Sequence, residues 1–487
     1  MSSRPNILII KSDQHNARCM GANGHSQIRT PNLDALARCG VNFKRAFVQN
    51  PICTPSRMCY LSGQYVHNHG VYALTNGEFF PKSLPSMFSE FKKAGYRTGI
   101  IGHIHVKGSW IEPHCDHYRN LHIEGSAYDK YLDKKGKLHL RDDQYYKGVR
   151  QPLDGGPSEL PFEDSYEGYV FHSFREFLDE QAADQPFIYQ MDTVHPHQSY
   201  VPCREFWDLY EGVELELPSS VNEDLSGKPV NHQQTAAWVP HYPWLFEPKT
   251  YEAGIRRKLR GYYGCISQVD HLVGLARHRL REIGREENTI ILYCSDHGDF
   301  ALEHGFLEKA PGISYDAILR TPFIWHWPAG GFVSNTVGEL VESVDVFPTM
   351  CSLVGLETPD TVDGMDISPM LRGDTTPLRE YVFAEFPLSR TIRSKEWKLC
   401  HHAGAMYNGE DVGELYHISE DPWEMNNLYH DSACAEIRED LRRTLFDWIL
   451  TTTRYACVNP EQPFAADGKV LPSAIKKLIE EPQLNYI

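Results

Sequence analysis

Residues 6–14, NILIIKSDQ, pass from an apolar stretch directly into polar residues, and this change decides the class of fold. The apolar part, Asn6–Ile10, predicts a short buried strand that ends at a polar edge. Four later stretches predict further buried strands: Thr98–Ile101, Phe187–Met191, Ile290–Tyr293 and Phe323–Trp327. Helical patterns separate these strands, and one predicted helix begins at Thr30-Pro31 and ends at Gly40. The alternation predicts an α/β fold with a mainly parallel sheet between layers of helices.

The pattern changes near residue 376, which predicts a large domain over residues 1–375 and a smaller α+β domain over residues 376–487. The smaller domain has one amphipathic helix around Leu441 and Leu445. Three strands are predicted before that helix: Tyr381–Phe386, Thr391–Leu399 and Glu414–Ile418. Two alternatives stay open for the last segment, Val458–Ile487: an arm on a neighbouring subunit, which would make a homo-oligomer, or a surface tail.

Composition excludes some classes of partner. The 487 residues include 48 Lys and Arg against 65 Asp and Glu, a net charge of −17, which argues against binding to nucleic acid. No stretch approaches the roughly 18 apolar residues of a membrane span, and the apolar run at residues 6–10 is too short for a signal peptide. The 12 cysteines are scattered singly, which is typical of reduced thiols. We therefore expect a cytoplasmic protein without membrane or nucleic-acid partners.

Acidic residues follow two of the predicted strands. Asp13 comes after the first strand, and Asp296-His297 comes after Ile290–Tyr293. Two acids at strand ends can hold a divalent cation, with His297 and the Gln14 carbonyl as further ligands, although each Asp alone could be a helix cap. A zinc site is a weaker alternative, because no Cys or carboxylate has a zinc spacing beside the four histidines concerned: His103, His105, His195 and His197.

The segment Pro51–Gly63, PICTPSRMCYLSG, predicts a local anion site. Pro55 fits the first turn of a helix, which would place Cys53 at the positive end of that helix with Arg57 nearby. A buried Cys before an ordinary helix explains any single residue, but not the whole string.

The string Cys53-Thr54-Pro55-Ser56-Arg57, with Leu61 and Gly63 after it, resembles the C-x-P-S-R…L-x-G signature of type I sulfatases, in the alkaline-phosphatase-like superfamily. Other segments resemble the family's remaining motifs in the same order: Asn6–Gln14, Tyr96–His105, His195-Pro196-His197, Ser295–Asp299 with Glu303–Lys309, and Leu415–Leu428. The resemblance covers nearly the whole chain and implies that fold, with residues 1–375 as the catalytic domain.

By this resemblance, a formylglycine-generating enzyme oxidises Cys53 to formylglycine, whose hydrated form is the nucleophile. The implied metal ligands are Asp13, Gln14, Asp296 and His297, and the oxygen of the modified Cys53 completes the set. Family habit favours Ca²⁺, and the imidazole ligand leaves Mn²⁺ open.

The resemblance also implies roles for four further residues. Arg57 and Lys309 would neutralise the sulfate oxygens. His105 would hold or deprotonate the formylglycine hydroxyl, and His197 would lie at the oxygen of the leaving group.

Three residues are weaker candidates for substrate binding. His195 could buttress His197, and Glu385 lies in a strand that is near the substrate in some members. His103 replaces the lysine that the family usually carries, so the positive charge at this position would depend on pH.

The implied activity is hydrolysis of a small anionic sulfate ester, of choline, an aryl group or a sugar. The alternative in the same superfamily is hydrolysis of phosphonate monoesters or phosphodiesters. A silent metal-binding relative is a third possibility, and the complete set of candidate residues argues against it.

Overall fold

The computed structural model describes residues 4–74, 84–141, 155–182, 185–239, 251–310 and 312–454, so the predicted arm Val458–Ile487 lies outside the described residues. The larger of its two sheets has eight strands, in the spatial order β4-β3-β5-β1-β6-β7-β2-β8. Their bounds are β1 Asn6–Asp13, β2 Val41–Phe47, β3 Arg97–Gly102, β4 His117–Asn120, β5 Phe187–Pro196, β6 Thr289–Ser295, β7 Phe323–His326 and β8 Asn335–Glu342. Strand β7 runs antiparallel to β6 and β2, and the other neighbouring pairs are parallel, which confirms the predicted mixed, mostly parallel sheet.

Hydrophobic cores cover both faces of this sheet, and β1 shows why. Ile7 and Ile9 pack into one core, whereas Leu8 and Ile10 pack into the other. Because successive side chains of a strand point to opposite faces, a strand in the middle of the sheet must be apolar at every position.

Helices fill the space beside the strands. The helices of seven or more residues are α1 Pro31–Cys39, α2 Cys53–Ser62, α4 Met87–Lys93, α6 Ala127–Lys134, α7 Tyr166–Asp179, α9 Val230–Trp238, α10 Tyr251–Glu282, α12 Val346–Val354 and α14 Ala435–Thr452. The shorter ones are α3 Val66–His69, α5 Gly108–Ile111, α8 Arg204–Asp208, α11 Asp316–Leu319 and α13 Ser368–Leu371. Among the described residues, no helix is both long and apolar enough to cross a membrane.

A second, antiparallel sheet lies near the C-terminus, in the order β12-β11-β10-β9, and α14 packs against it. Its strands are β9 Val382–Phe386, β10 Ser389–Arg393, β11 Trp397–His402 and β12 Gly413–His417. The single strand predicted over Thr391–Leu399 is wrong, because a turn in which Ser394 N donates to Trp397 O divides it into β10 and β11. The division of the chain at residue 375 stays a prediction.

The sequence analysis missed three strands of the large sheet: β2, β4 and β8. Strands β4 and β8 are the edges of the sheet, and all four residues of β4 are half-buried. The half-buried residues Lys44 and Arg45 interrupt β2. A strand that is not fully covered on both faces has no continuous apolar run, so the pattern that found the central strands does not apply to these three.

A glycine at the end of β3 sets how closely β3 and β5 approach. Gly102 has a φ of +112°, and a Cβ on it would lie 1.7 Å from the backbone oxygen of Asp192 on β5. We predict that Gly102→Ala lowers the free energy of unfolding by about 3 kcal/mol, measured by urea denaturation.

The matched control is Gly227→Ala, because nothing lies within 4 Å of the added methyl group there. This control should change the free energy of unfolding by less than about 0.5 kcal/mol. Equal stabilities of the two variants would refute the proposed backbone constraint at Gly102.

Candidate active site

Two buried carboxylates lie side by side at the carboxyl ends of neighbouring parallel strands. Asp13 is the last residue of β1, and Asp296 follows directly on β6. The two strands pair in register as far as Ser12 and Ser295, so both acids emerge at the same edge of the sheet. The structure therefore brings together the two acids that the sequence analysis singled out.

The Arg57 guanidinium joins these carboxylates by bonding to one oxygen of each. It donates from Nη2 to Asp13 Oδ2 and from Nε to Asp296 Oδ2, both at 2.8 Å. Its Nη1 lies 3.8 Å from a third carboxylate, that of Asp192. Arg57 is completely buried, and the fork of its guanidinium fits two carboxylates at once. Its predicted contact with sulfate stays a prediction, since the bonds described for this side chain go to acids of the protein.

The second oxygens of the two carboxylates face an imidazole and the Cys53 sulfur. His297 Nε2 lies 3.6 Å from Asp13 Oδ1 and 3.7 Å from Asp296 Oδ1. Cys53 Sγ lies 3.2 Å from His297 Nε2 and 4.0 Å from Asp13 Oδ1. His297 Nδ1 lies 2.9 Å from the Gly298 carbonyl oxygen, so it carries the proton and Nε2 presents a lone pair.

These four groups fit a divalent cation. The ligand atoms of Asp13, Cys53, Asp296 and His297 all lie within 4.8 Å of one another, and all four residues are buried. Burial and the Asp296 carboxylate raise the pKa of Asp13 to about 7, although Arg57 opposes that rise. Two adjacent buried carboxylates therefore favour a bound cation, and the carboxylate and imidazole atoms are suitable donors for one.

Helix α2 places Cys53 and Arg57 on one side, because the two residues are one turn apart. Cys53 is the first residue of α2, where the backbone N–H groups give the helix its positive end. Two side chains fix this end: Thr54 Oγ1 donates to the His105 carbonyl at 2.9 Å, and Ser56 Oγ donates to the Asp296 carbonyl. The helix predicted from Pro55 is present and holds the sequence motif against the carboxylates.

Gln14 lies beside this cluster, but its side chain bonds elsewhere. Its Oε1 accepts a hydrogen bond from Lys309 Nζ at 2.7 Å, and its Nε2 donates to Asp299 Oδ2 at 2.6 Å. The predicted role of Gln14 as a metal ligand therefore stays a prediction. Asp299 was quoted in a sequence motif without a role, and the structure shows that it orients this amide.

Lys309 also reaches His197, which links two residues that the sequence analysis placed at the substrate. Lys309 Nζ lies 3.0 Å from His197 Nε2. His197 Nδ1 lies 3.0 Å from the Gln198 carbonyl oxygen, so Nδ1 carries the proton and Nε2 accepts from the ammonium. Burial and the Lys309 charge keep the pKa of His197 well below its usual value. The pair therefore consists of a charged lysine and a neutral imidazole.

Three histidine rings stack next to the carboxylates. The His103 ring lies 4.6 Å from the His105 ring and 4.3 Å from the His122 ring, between their centroids. His103 Nδ1 lies 3.3 Å from Asp13 Oδ2. Burial and the neighbouring cations lower the pKa of His103, so it does not provide the fixed charge of a lysine. The sequence analysis missed His122, which follows the edge strand β4 and has no motif around it.

The other two predicted substrate residues form ion pairs of their own. His195 Nδ1 lies 3.1 Å from Glu167, and none of the groups of potential metal ligands among the described residues contains His195 or His197. Glu385 is completely buried and lies 2.9 Å from His67 Nδ1 and 3.1 Å from Arg390 Nε. Their predicted roles toward the substrate stay predictions.

The site can now be compared with known proteins. Residues 5–356 match the family model described as Sulfatase, and residues 302–450 match the model described as N-sulphoglucosamine sulphohydrolase, C-terminal. The chain belongs to the sulfatase family. This sulfatase is accordingly an enzyme that hydrolyses sulfate esters, and the family generally uses a metal ion and a formylglycine derived from cysteine.

Relatives and solved structures match this sulfatase over most of their length. It is 27% identical to the arylsulfatase of Clostridium perfringens, and the match covers 91% of this chain and 94% of that relative. It is 28% identical to the choline-sulfatase of Rhizobium meliloti, and the match covers 92% of this chain and 88% of that relative. A structure of a protein in complex with its substrate D-glucosamine-2-N,6-O-disulfate superposes with a TM-score of 0.75 at 22% identity, covering 92% of this chain and 98% of that one. The phosphonate monoester hydrolase of Silicibacter pomeroyi superposes with a TM-score of 0.80 at 23% identity, covering 96% and 98%. These two structures confirm the alkaline-phosphatase-like fold.

The shape of Arg57, and not only its charge, should be essential to this sulfatase. We predict that Arg57→Lys lowers kcat/KM for a sulfate ester at least ~100-fold, because a single ammonium cannot bond to both carboxylates and the ligands move. Steady-state kinetics measures the loss, and thermal unfolding shows whether the variant is folded.

Arg45→Lys is the matched control. Arg45 lies on β2 of the large sheet, and its Nη1 donates to the Gly338 carbonyl, a single bond that a lysine can also make. A folded Arg57→Lys variant as active as Arg45→Lys would contradict the bridging role.

Proposed function

We propose that this sulfatase hydrolyses small anionic sulfate monoesters, with formylglycine at position 53 as its nucleophile and Ca²⁺ as its metal. The observation that supports this most strongly is the position of Cys53 Sγ, 3.2 Å from His297 Nε2 and 4.0 Å from Asp13 Oδ1. The residue that carries the modification motif thus faces the candidate metal ligands directly. When present, hydrated formylglycine supplies the attacking oxygen and the cation lowers the pKa of that oxygen.

The protein's own residues would prepare the site before the substrate arrives. Arg57 holds Asp13 Oδ2 and Asp296 Oδ2, and the Oδ1 atom of each carboxylate lies beside His297 Nε2. The Gly298 carbonyl fixes the tautomer of His297 that offers Nε2. A ligand set held in this way needs little rearrangement when the cation binds.

Lys309 and His197 would act on the substrate side. Since Arg57 is occupied by carboxylates, Lys309 is the cation we assign to the sulfate oxygens. Because His197 Nδ1 bonds to the Gln198 carbonyl, Nε2, which accepts from Lys309, is the ring atom that would take a proton from the ammonium and give it to the leaving oxygen. His105, whose backbone accepts from Thr54, would hold the hydroxyl of the modified residue.

The modification itself would precede folding. All five residues of the motif are buried, and Cys53 is only 1% exposed. A formylglycine-generating enzyme would therefore act on the chain before α2 packs. The described cysteines form no disulfide, which supports our proposal of a cytoplasmic enzyme.

Mass spectrometry of the peptide that contains residue 53 tests the nucleophile. We predict formylglycine in protein made together with a formylglycine-generating enzyme, and a Cys53→Ala variant whose kcat/KM for sulfate monoesters is at least ~10⁴-fold lower. Unmodified, active Cys53 would refute this proposal.

Cys39→Ala is the control for Cys53→Ala, because Cys39 is exposed and its substitution should leave kcat/KM unchanged.

Matched phosphonate monoester and phosphodiester substrates test the alternative activity. Faster hydrolysis of those esters than of the sulfate monoester would replace the proposed function. If Mn²⁺ but not Ca²⁺ restores activity to chelator-treated enzyme, Mn²⁺ would replace Ca²⁺ as the proposed metal, and the rest of the proposal would stand.

The leaving group should reveal the role of His197. We predict that His197→Gln lowers kcat/KM about 10²-fold or more for an alkyl sulfate, but less than ~10-fold for 4-nitrophenyl sulfate. An alkoxide requires a proton as it leaves, whereas nitrophenolate is stable without one. Kinetics on the two substrates measures the difference.

The exposed residue His172 provides the control, since His172→Gln should affect neither substrate. Equal losses on both substrates in His197→Gln would show that His197 only supports the structure of the site.

A further inference from the structure

A second group of potential metal ligands lies within the C-terminal sheet. Cys400 and His402 are two residues apart on β11, so their side chains are on the same face. Glu414 on β12 is the cross-strand partner of Cys400, and His232 reaches the group from α9. The four residues are between 0% and 2% exposed.

The donor atoms of three of these residues, Cys400, His402 and Glu414, all lie within 4.8 Å of one another. His402 Nε2 and His232 Nε2 each lie 3.2 Å from the same oxygen, Glu414 Oε1. Cys400 Sγ lies 3.6 Å from His402 Nε2. Bonds of ~2.05 Å to nitrogen or oxygen and ~2.3 Å to sulfur, in tetrahedral geometry, place neighbouring donors ~3.3 and ~3.6 Å apart. The separation between Cys400 and His402 and that between His402 and Glu414 therefore match those around a tetrahedral ion.

The outer atoms of the same side chains are held by tyrosines. His232 Nδ1 lies 3.1 Å from the Tyr315 hydroxyl, and the Tyr416 hydroxyl donates to Glu414 Oε2 at 2.7 Å. Among the described residues, His232 Nε2 has no hydrogen-bond partner, although Glu414 Oε1 is 3.2 Å away. Such second contacts orient metal ligands and leave the inner lone pairs directed at the ion.

We propose that Cys400, His402 and Glu414 bind a structural zinc ion, with the His232 imidazole beside the Glu414 ligand oxygen. One sulfur, one imidazole nitrogen and one carboxylate oxygen form a donor set typical of zinc, and the thiolate excludes Ca²⁺ and Mg²⁺ as the preferred ion. A thiolate and a carboxylate also balance the two charges of Zn²⁺, so the buried site is neutral. The ion would join β11 to β12 within the small sheet.

The alternative to a zinc ion is a proton on His402. Protonated His402 would donate a hydrogen bond to Glu414, and the group would be a hydrogen-bonded network without a metal.

The experiment uses the full chain, produced with added zinc and desalted, and measures bound zinc by mass spectrometry of the metal. The Cys53→Ala/Asp296→Asn variant removes two ligands of the candidate active site, so zinc bound there does not contribute. We expect about one zinc per chain in this variant, and at least a tenfold lower content when Cys400→Ser and His402→Gln are added.

Cobalt substitution provides a second measurement. In the Cys53→Ala/Asp296→Asn protein, Co²⁺ should give the near-ultraviolet band of a cobalt–thiolate bond, and Cys400→Ser should abolish this band. Cys434→Ser is the matched control, because Cys434 is a half-buried cysteine outside the group and its loss should change neither readout.

Absence of both zinc and the cobalt band from the folded Cys53→Ala/Asp296→Asn protein would overturn the zinc site. Full zinc content after Cys400→Ser and His402→Gln would overturn it as well. If those substitutions prevent folding, the presence or absence of the cobalt–thiolate band in the Cys53→Ala/Asp296→Asn protein still decides whether the metal site exists. The proposed sulfatase reaction is not tested by either result, since the nucleophile is absent from every protein compared.

Discussion

The buried contact of Arg57 with Asp13 and Asp296 is the interaction on which the rest of the site depends. Two carboxylates at the ends of adjacent strands repel each other, and burial increases that repulsion. The guanidinium offsets it with two hydrogen bonds of 2.8 Å and at the same time selects which oxygen of each acid faces the cleft. Removing one member of this group would leave a buried charge without its partner, which destabilises the fold. The ends of β1 and β6 and the start of α2 must therefore keep their relative positions.

The spacing of the sulfatase motif follows from this contact. Cys53 and Arg57 are four residues apart, which places them on the same side of α2. Arg57 anchors the helix to the acids, and Cys53 is thereby fixed next to His297. Ser56 adds a bond to the backbone of Asp296. In the folded chain the motif is therefore a positioning device, and under the proposed modification it would also be the recognition sequence in the unfolded chain.

The sequence predicted the parts of the molecule that depend on local patterns. Central strands such as β1 were found because both faces are covered, whereas β4, at the edge, was missed. Asp13 and Asp296 could be paired from sequence because parallel strands end at a common edge. The stacking of His122 on His103 could not, because only the folded chain brings the residue after an edge strand to the active site.

The replacement of the family's usual lysine by His103 becomes understandable from the same charges. Arg57 already holds Asp13 Oδ2, and His103 Nδ1 lies only 3.3 Å from that oxygen, so a neutral imidazole avoids a second cation there. Under the proposed function, the charge for an anionic substrate would then rest on Lys309, whose Nζ contacts Gln14 Oε1 and His197 Nε2. In a protein with a net charge of −17, long-range attraction does not favour an anionic ester. Discrimination among substrates should therefore arise close to Lys309 and His197, in contacts with the organic half of the ester, and not from long-range attraction.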